Sequence, residues 1–539
     1  MFKNTKVKRK TPFLVFASII TLLIIMPVIF SSFLFFDAAP KWSFILSNLL
    51  TTYITNTTIL VISVGFLSIS IGLYAAYIVE TKTFIGKKIL SNILYLPLAI
   101  PAYVLCYIYV DTLSYSGRIS QFISFLNLDL NQFIFSMPMA IFILTLALFP
   151  YAYLSFRVYF KTRNTHHFDV AKSLRIPLLK RITHIHLPLI FPTLISALLF
   201  ITFETVNDYG VTKYLNIKTL TVGMFDSWFQ MNDFTSSLYL ALIYIGVLIL
   251  FSGIYLLILK KPIGNTTKSQ SKVFSKKLSI KQTIIYTTPL WIVMILSLII
   301  PLIELTLNTF QSFDAQDLLP LFNSFTQTIF ITITVSCIII LISIIISNAQ
   351  RLSHKKHRTS LLKLPTIGYA FPSVMVALIY YYFFVRVDRF LDPTYQIIFQ
   401  SGHILSLSIF VLIGALVFKY FAVGYKQISN VYDIIGLQHT LTSYTLKKSK
   451  WKTLLSVDIP MIKRGLIAGF ILSFIDIIKE LPMTLLLRPF NVQSLSTLIF
   501  TYINNEDISK ASTASLLLVM IAGILIIILQ SFGKGKNVS

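Results

Sequence analysis

Long apolar runs separated by short polar and basic stretches make up most of this chain. Twelve runs approach or exceed the length of a membrane span: 13–36, 58–79, 89–110, 136–160, 188–205, 237–259, 284–306, 326–347, 361–385, 404–424, 461–482 and 513–530. About 20 consecutive apolar residues cross a bilayer as an α-helix. None of the runs alternates with a period of two, which argues against a β-barrel. The pattern predicts an all-α integral membrane protein with about 12 transmembrane helices.

The pattern also repeats. Asn56-Thr57-Thr58-Ile59 aligns with Thr326-Gln327-Thr328-Ile329 at an offset of 270, and Pro101 with Pro372 at 271. Leu187-Pro188 aligns with Ile459-Pro460 at 272, and NIKTLTVGMF at 216–225 with NVQSLSTLIF at 491–500 at 275. Two acid pairs share the 272 offset: Glu204 with Asp208, and Asp476 with Glu480. A duplicated unit follows. The polar, basic segment 260–283 reads as a cytoplasmic linker between a first six-helix repeat, 1–259, and a second, 284–539. Six is even, so the repeats run parallel about an axis along the membrane normal, and two facing bundles would leave a pathway between them.

Composition supports this reading. The chain has 539 residues, 55% hydrophobic and 12% charged, with a mean hydropathy of +0.78. A soluble domain usually sits near 25% charged. The net charge of +26 suggests nucleic acid until its distribution is examined. With Met1 inside and every run spanning, 37 of the 46 Lys and Arg fall in cytoplasmic segments, with only Glu80, Asp169, Asp433 and Asp458 among the acids. That is the positive-inside rule, with both termini cytoplasmic and no nucleic-acid footprint. The run after MFKNTKVKRK exceeds the 7–15 residues of a signal-peptide core, so it reads as a retained helix. Cys106 and Cys337 fall inside runs and read as packed apolar thiols.

The loop before the fifth run, FDVAKSLRIPLLKRITHIHLPLIFP at 168–192, places Phe168, Ala171, Leu174, Leu178, Ile182 and Ile185 at helical spacing beside Lys and Arg. Short amphipathic helices at the inner face account for this. The residues alone leave open whether such a helix lies in the headgroups or docks a partner.

Here the chain resembles the membrane subunits of binding-protein-dependent ABC importers, which carry a cytoplasmic E-A-A-x-x-x-G loop followed by I-x-L-P. Asp169, Val170, Ala171, Ser173, Leu174 and Arg175, then Ile185-His186-Leu187-Pro188, follow that form with Asp for Glu and Arg for Gly. The second loop runs through Leu441, Ser443, Leu446 and Lys447 to Asp458-Ile459-Pro460, with Leu for Glu and Lys for Gly. Both loops therefore lack the turn-permitting glycine.

The resemblance covers nearly the whole chain. LPLAIPAYV, FETVNDYG and DIIKELPMTLLLRPF look most like the ferric-iron branch, with fused thiamine permeases close by. It implies a type I importer permease in the bacterial cytoplasmic (inner) membrane, with each loop docking one of two copies of a cytoplasmic ATPase. A soluble extracytoplasmic binding protein would deliver the solute. No phosphate-binding G-x-x-x-x-G-K-[ST] occurs; Gly86-Lys87 lacks the rest of it. ATP and Mg would sit on the partner, and this chain is not itself an enzyme and binds no cofactor.

Residues four apart share a helix face, so each acid pair would form one acidic patch near an outer helix end, either lining a pathway or capping the helix and pairing with Lys213, Lys479 or Arg488. His166, His167, His184 and His186 crowd one basic loop and His354 and His357 another, where solvated rings are expected and no metal site is assigned. Pro101 and Pro372 are expected to kink their helices in mid-span. An ion-coupled secondary transporter is the rival function, although it has no use for matched loops ending in Leu-Pro or Ile-Pro.

Overall fold

The computed structural model describes residues 12–31, 39–115, 117–124, 131–162, 173–174, 177–258, 276–311, 318–353, 361–399 and 404–533. Among the described residues, each apolar run contains helix. The first half of the chain holds α1 Pro12–Ser31, α2 Leu50–Thr81, α3 Ala102–Leu113, α4 Met137–Thr162, α5 Leu187–Asn207 and α6 Phe234–Ile258. The second holds α7 Ile280–Gln311, α8 Leu318–Arg351, α9 Ser373–Phe399, α10 Ile409–Ile435, α11 Ile459–Ile478 and α12 Ile508–Gly533.

Among the described residues, eight helices are long and apolar enough to cross a membrane: α1, α2, α4, α5, α7, α8, α10 and α12. Three of the remaining four depart for visible reasons. The 89–110 run is broken, with Lys87–Ala99 and Ala102–Gln121 meeting at 90°. Helix α6, Phe234–Ile258, is apolar along its 25 residues. Arg386, Asp388, Arg389 and Asp392 interrupt α9, and Lys463, Arg464 and Asp476 interrupt α11. A two-residue parallel β pairing, Lys82–Thr83 with Lys276–Lys277, is the one sheet among the described residues.

The two aligned prolines break their helices rather than kink them. A 3₁₀ turn, Leu96–Ala99, ends at Ile100 (φ −92°, ψ 116°), and α3 begins after Pro101. A second, Leu364–Ala370, ends at Phe371 (φ −76°, ψ 139°), and α9 begins after Pro372. Proline clashes with a helical residue before it and pushes that residue to extended backbone, which is what both predecessors adopt.

Three π-helical turns also follow proline placement: Ile182–His186, Ile295–Ile299 and Leu454–Asp458. Each ends two residues before a proline, at Pro188, Pro301 and Pro460. Proline offers no N–H to the carbonyl four residues back and its ring collides with it. That carbonyl belongs to His184, Ser297 or Ser456, inside the π turn in every case. Widening the turn relieves the collision while the helix continues.

The chain forms two compact units. One comprises 39–313 and 502–523; the other comprises 1–38, 314–501 and 524–539. The first therefore contains α7 along with α2 to α6, and the second contains α1 along with α8 to α11. In the second unit, Ala17 of α1 is fully buried in a core with Ile346, Phe421, Ile428 and Ile462. In the first, α2 and α4 approach so closely at Gly72 that a Cβ there would stand 2.5 Å from the Ala152 Cβ. Small residues allow such backbone approach between membrane helices.

Candidate functional site

The second loop is the better described of the two. Gly436, with φ +69°, ends α10 in a conformation that L side chains rarely adopt. The chain then forms a helix at Gln438–Thr445, a turn, a short helix at Lys450–Thr453 and the π turn that leads into α11. The turn closes as a Schellman motif. The Lys447 amide donates to the Tyr444 carbonyl at 3.0 Å and the Lys448 amide to the Ser443 carbonyl at 3.3 Å. Lys447 itself sits at φ +58°. The glycine is missing, but the left-handed turn is made without it.

Inner and outer faces of this loop differ chemically. Ser443 is buried and its hydroxyl lies 2.9 Å from that of Thr453. Leu441, Leu446 and Trp451 are 52%, 70% and 54% exposed, and Lys447, Lys448, Lys450 and Lys452 are interspersed with them along the sequence. Ile459 is half-buried and Pro460 exposed at the start of α11.

The first loop falls partly outside the described residues, and Asp169, Ala171 and Arg175 lie there together with His166, His167, His354 and His357. Ser173 and Leu174 are exposed, and so are Leu187 and Pro188. Its π turn leads into Leu187-Pro188 as the second leads into Ile459-Pro460, so the two loops enter α5 and α11 by the same backbone geometry.

At the opposite ends of α5 and α11 the acids separate into two environments. Helix α5 stops at Asn207 and α11 at Ile478, between the members of each pair, so the expected shared helix face does not form. Glu204 and Asp476 lie within the helices and are half-buried, with Asp476 4.0 Å from Lys479. Asp208 turns to accept the amides of Val211 and Thr212, both at 3.1 Å, at the start of the Gly210–Tyr214 helix. Glu480 accepts the Met483 amide at 3.0 Å at the start of the Pro482–Leu487 helix, and the Tyr420 hydroxyl donates to it as well. Carboxylates on first-turn amides are helix-capping chemistry. Lys213 pairs with Asp226 at 2.7 Å, and Arg488 donates to the Val492 carbonyl at 3.3 Å.

Beyond the caps lie the repeated stretches 216–225 and 491–500, and the structure explains why they recur. Thr57 accepts the Leu220 amide at 3.0 Å while Asn56 donates to the Lys218 carbonyl at 3.0 Å. Thr328 accepts the Leu495 amide at 2.7 Å while Gln327 bonds the Asn491 carbonyl and the Gln493 amide. The equivalent residues are therefore Asn56 with Gln327 and Thr57 with Thr328, an offset of 271. That shifts the 270 alignment by one and matches the prolines.

Among the described residues, no group of three or more His, Cys, Asp or Glu stands close enough to hold a metal. Cys106 is buried, whereas Cys337 lies exposed on α8, contrary to the expectation of two packed thiols.

Residues that the sequence did not single out hold these regions in place. Arg351, at the end of α8, bonds Asp458 and Thr440 beneath the second loop. Lys419 of α10 is buried and donates to the carbonyls of Tyr369 and Phe371 at the Pro372 break. A lysine among membrane helices is a signal in its own right, but both cations also fit the positive-inside count.

The chain matches the family described as "Binding-protein-dependent transport system inner membrane component" twice, over residues 68–263 and 339–534. It is 24% identical over 492 residues to the "Fe(3+)-transport system permease protein FbpB 2" of Haemophilus influenzae, covering 89% of each chain. An uncharacterized protein of the same organism is 30% identical over 99 residues, which cover 18% of this chain and 83% of its own length. The two family matches start and end 271 residues apart, the spacing at which Pro101 and Pro372 break their spans. The protein is thus a member of the binding-protein-dependent transport permease family, with two copies of the inner-membrane component fused in one multi-pass chain.

Proposed function

We propose that this chain is the transmembrane subunit of an ATP-driven importer. It takes a small solute from an extracytoplasmic binding protein and passes it to the cytoplasm by alternating access. The repeats 1–259 and 284–539, joined by 260–283, form the permease, with both termini cytoplasmic. Two copies of a cytoplasmic ATPase hold ATP and Mg and dock on the two loops. The first loop contributes Asp169, Ala171, Ser173, Leu174, Leu187 and Pro188. The second contributes Leu441, Ser443, Leu446, Ile459 and Pro460.

One observation carries this reading: the two loops enter α5 and α11 through matched π turns, and the better described one presents exposed Leu441, Leu446 and Trp451. An apolar patch rimmed by charge is the ordinary form of a protein-docking surface.

Ferric iron is the favoured cargo because the relative matching 89% of the chain is named for Fe(3+) transport. Glu204, Asp208, Asp476 and Glu480 offer hard oxygen ligands of the kind that cation prefers, and would line its route without holding it tightly. Thiamine or another small solute is the alternative cargo.

The test is coexpression with the cognate ATPase and binding protein, followed by uptake measurements in proteoliposomes. Copurification of the ATPase and uptake of radiolabelled iron that requires ATP are the expected results. Absence of an ATPase, with uptake that follows a proton or sodium gradient, would overturn the reading in favour of a secondary transporter. The solute that copurifies with the binding protein decides between iron and thiamine.

A further inference from the structure

Arg351 is the last residue of the 34-residue helix α8. Its side chain is 9% exposed and lies 2.9 Å from Asp458, itself 3% exposed. The same guanidinium donates to the Thr440 hydroxyl at 2.7 Å and to the Gly436 carbonyl at 3.5 Å, and it lies 4.2 Å over the Tyr432 ring. Thr440 in turn donates to Asp458 at 2.6 Å. One side chain thereby joins four elements: α8, the end of α10, the Gln438–Thr445 loop helix and the π turn before α11.

The first repeat is built differently at the equivalent place. Glu80, 271 residues before Arg351, stands near the end of α2 with the opposite charge. It pairs with Arg157 of α4 at 2.7 Å, and Arg157 also bonds the Ser91 carbonyl and the Tyr95 hydroxyl. That tie joins α2 and α4 to the broken third span, and among the described residues none of its partners lies between 163 and 186. His186 occupies the position equivalent to Asp458.

Burying an ion pair is a poor route to stability, since apolar side chains of similar volume often hold a fold as well. A planar guanidinium that reaches several acceptors at once is well suited to fixing geometry. We infer that Arg351, Thr440 and Asp458 are positioning residues for coupling. They bind the second loop to α8 and α10 as one body, so that a load applied to the loop enters the bundle there. The two loops are then not interchangeable. This inference rests on the loops docking an ATPase.

The experiment uses the full complex with its ATPase and binding protein in proteoliposomes, and reads assembly, ATP hydrolysis and solute imported per ATP. Two variants are compared with the wild type. R351M/D458L removes both charges together, and T440V removes only the bridging hydroxyl. R351M/D458L is expected to retain its ATPase and its hydrolysis while import per ATP falls at least about fivefold, the lower end of ordinary coupling energies. T440V keeps both charges and is expected to fall in the same direction by less, which keeps the test open if the double variant misfolds.

Unchanged import per ATP in a folded variant would overturn the inference. So would loss of the ATPase from R351M/D458L alone, since the network would then be building the docking surface instead of transmitting load. A wild-type chain that binds no ATPase would remove the docking reading itself, a result distinct from either.

Discussion

Thr328 accepts the backbone amide of Leu495 on its hydroxyl at 2.7 Å, and Thr57 accepts that of Leu220 in the same way at 3.0 Å. In each repeat a long helix thus holds the start of a short one across more than 160 residues of sequence. Both hydroxyls are buried and also donate to their own helix, Thr57 to Tyr53 and Thr328 to Ser324. Replacement by valine keeps the shape and leaves a buried amide without its acceptor. Thr328→Val and Thr57→Val are each expected to lower stability by about 1–3 kcal/mol. Serine at either position is expected to restore most of that. Thermal unfolding of the purified chain in a fixed detergent makes the comparison, and valine variants as stable as the wild type would show these bonds to be dispensable.

Lys447 occupies a left-handed turn, φ +58°, where a side chain pays a steric penalty that glycine escapes. Lys447→Gly is expected to stabilise the second loop by about 1 kcal/mol, less whatever glycine loses through its freer unfolded chain. Lys447→Val, with a branched Cβ in that conformation, is expected to destabilise it. Hydrogen exchange of the Lys448 amide, which donates to Ser443, reads the local effect: slower for glycine and faster for valine.

What was legible in the sequence follows from what each feature requires physically. A membrane helix needs a long apolar run, so the pattern located the helices, although a break divides the third run and charges interrupt α9 and α11. A duplicated fold leaves matched turn residues, so Pro101 and Pro372 marked equivalent breaks. The sharpness of those breaks was less visible, because proline in a span is compatible with either a kink or a full interruption. The π turns before Pro188 and Pro460 have no periodicity of their own to detect. Short helices such as Leu220–Phe229 and Leu495–Asn504 sit where the apolar pattern is interrupted. Among the acids, the spacing of four was right but the inferred face was not, since a helix that ends between two residues cancels the geometry. Arg351 illustrates the hardest case. A basic residue at a helix end is what the topology rule expects, and only the fold separates it from one that organises a buried network.

Lys419 holds the Pro372 break by donating to the Tyr369 carbonyl at 3.3 Å and to that of Phe371. The Tyr369 carbonyl lies three residues before Pro372, which has no N–H to offer it. Ala147 stands 272 residues earlier, so the first repeat carries no cation at the aligned position. Lys419→Met preserves the apolar stem and removes the donor. It is expected to destabilise the chain by about 1–3 kcal/mol through loss of these two part-buried hydrogen bonds. Ala147→Met is the control for added bulk. If Lys419→Met unfolds at the wild-type temperature, the lysine does not secure the break.

The four acids can be separated by giving each the substitution its surroundings require. Asp208 and Glu480 accept first-turn amides, so their alanine variants are expected to lose about 1 kcal/mol each, as capping residues do. Asp208→Asn and Glu480→Gln keep an acceptor oxygen and are expected to retain most of that stability. Loss of uptake in these amide variants would therefore report on charge along the route. Glu204 and Asp476 lie inside α5 and α11, so Glu204→Gln combined with Asp476→Asn tests the route without touching either cap. A cationic solute guided by these carboxylates should be imported more slowly by the double variant at unchanged stability and assembly. The effect should also shrink as ionic strength rises, because screening weakens attraction between groups separated by more than about 8 Å at physiological salt. Uptake equal to the wild type at low salt would take Glu204 and Asp476 off the route and leave Asp208 and Glu480 with their capping role alone.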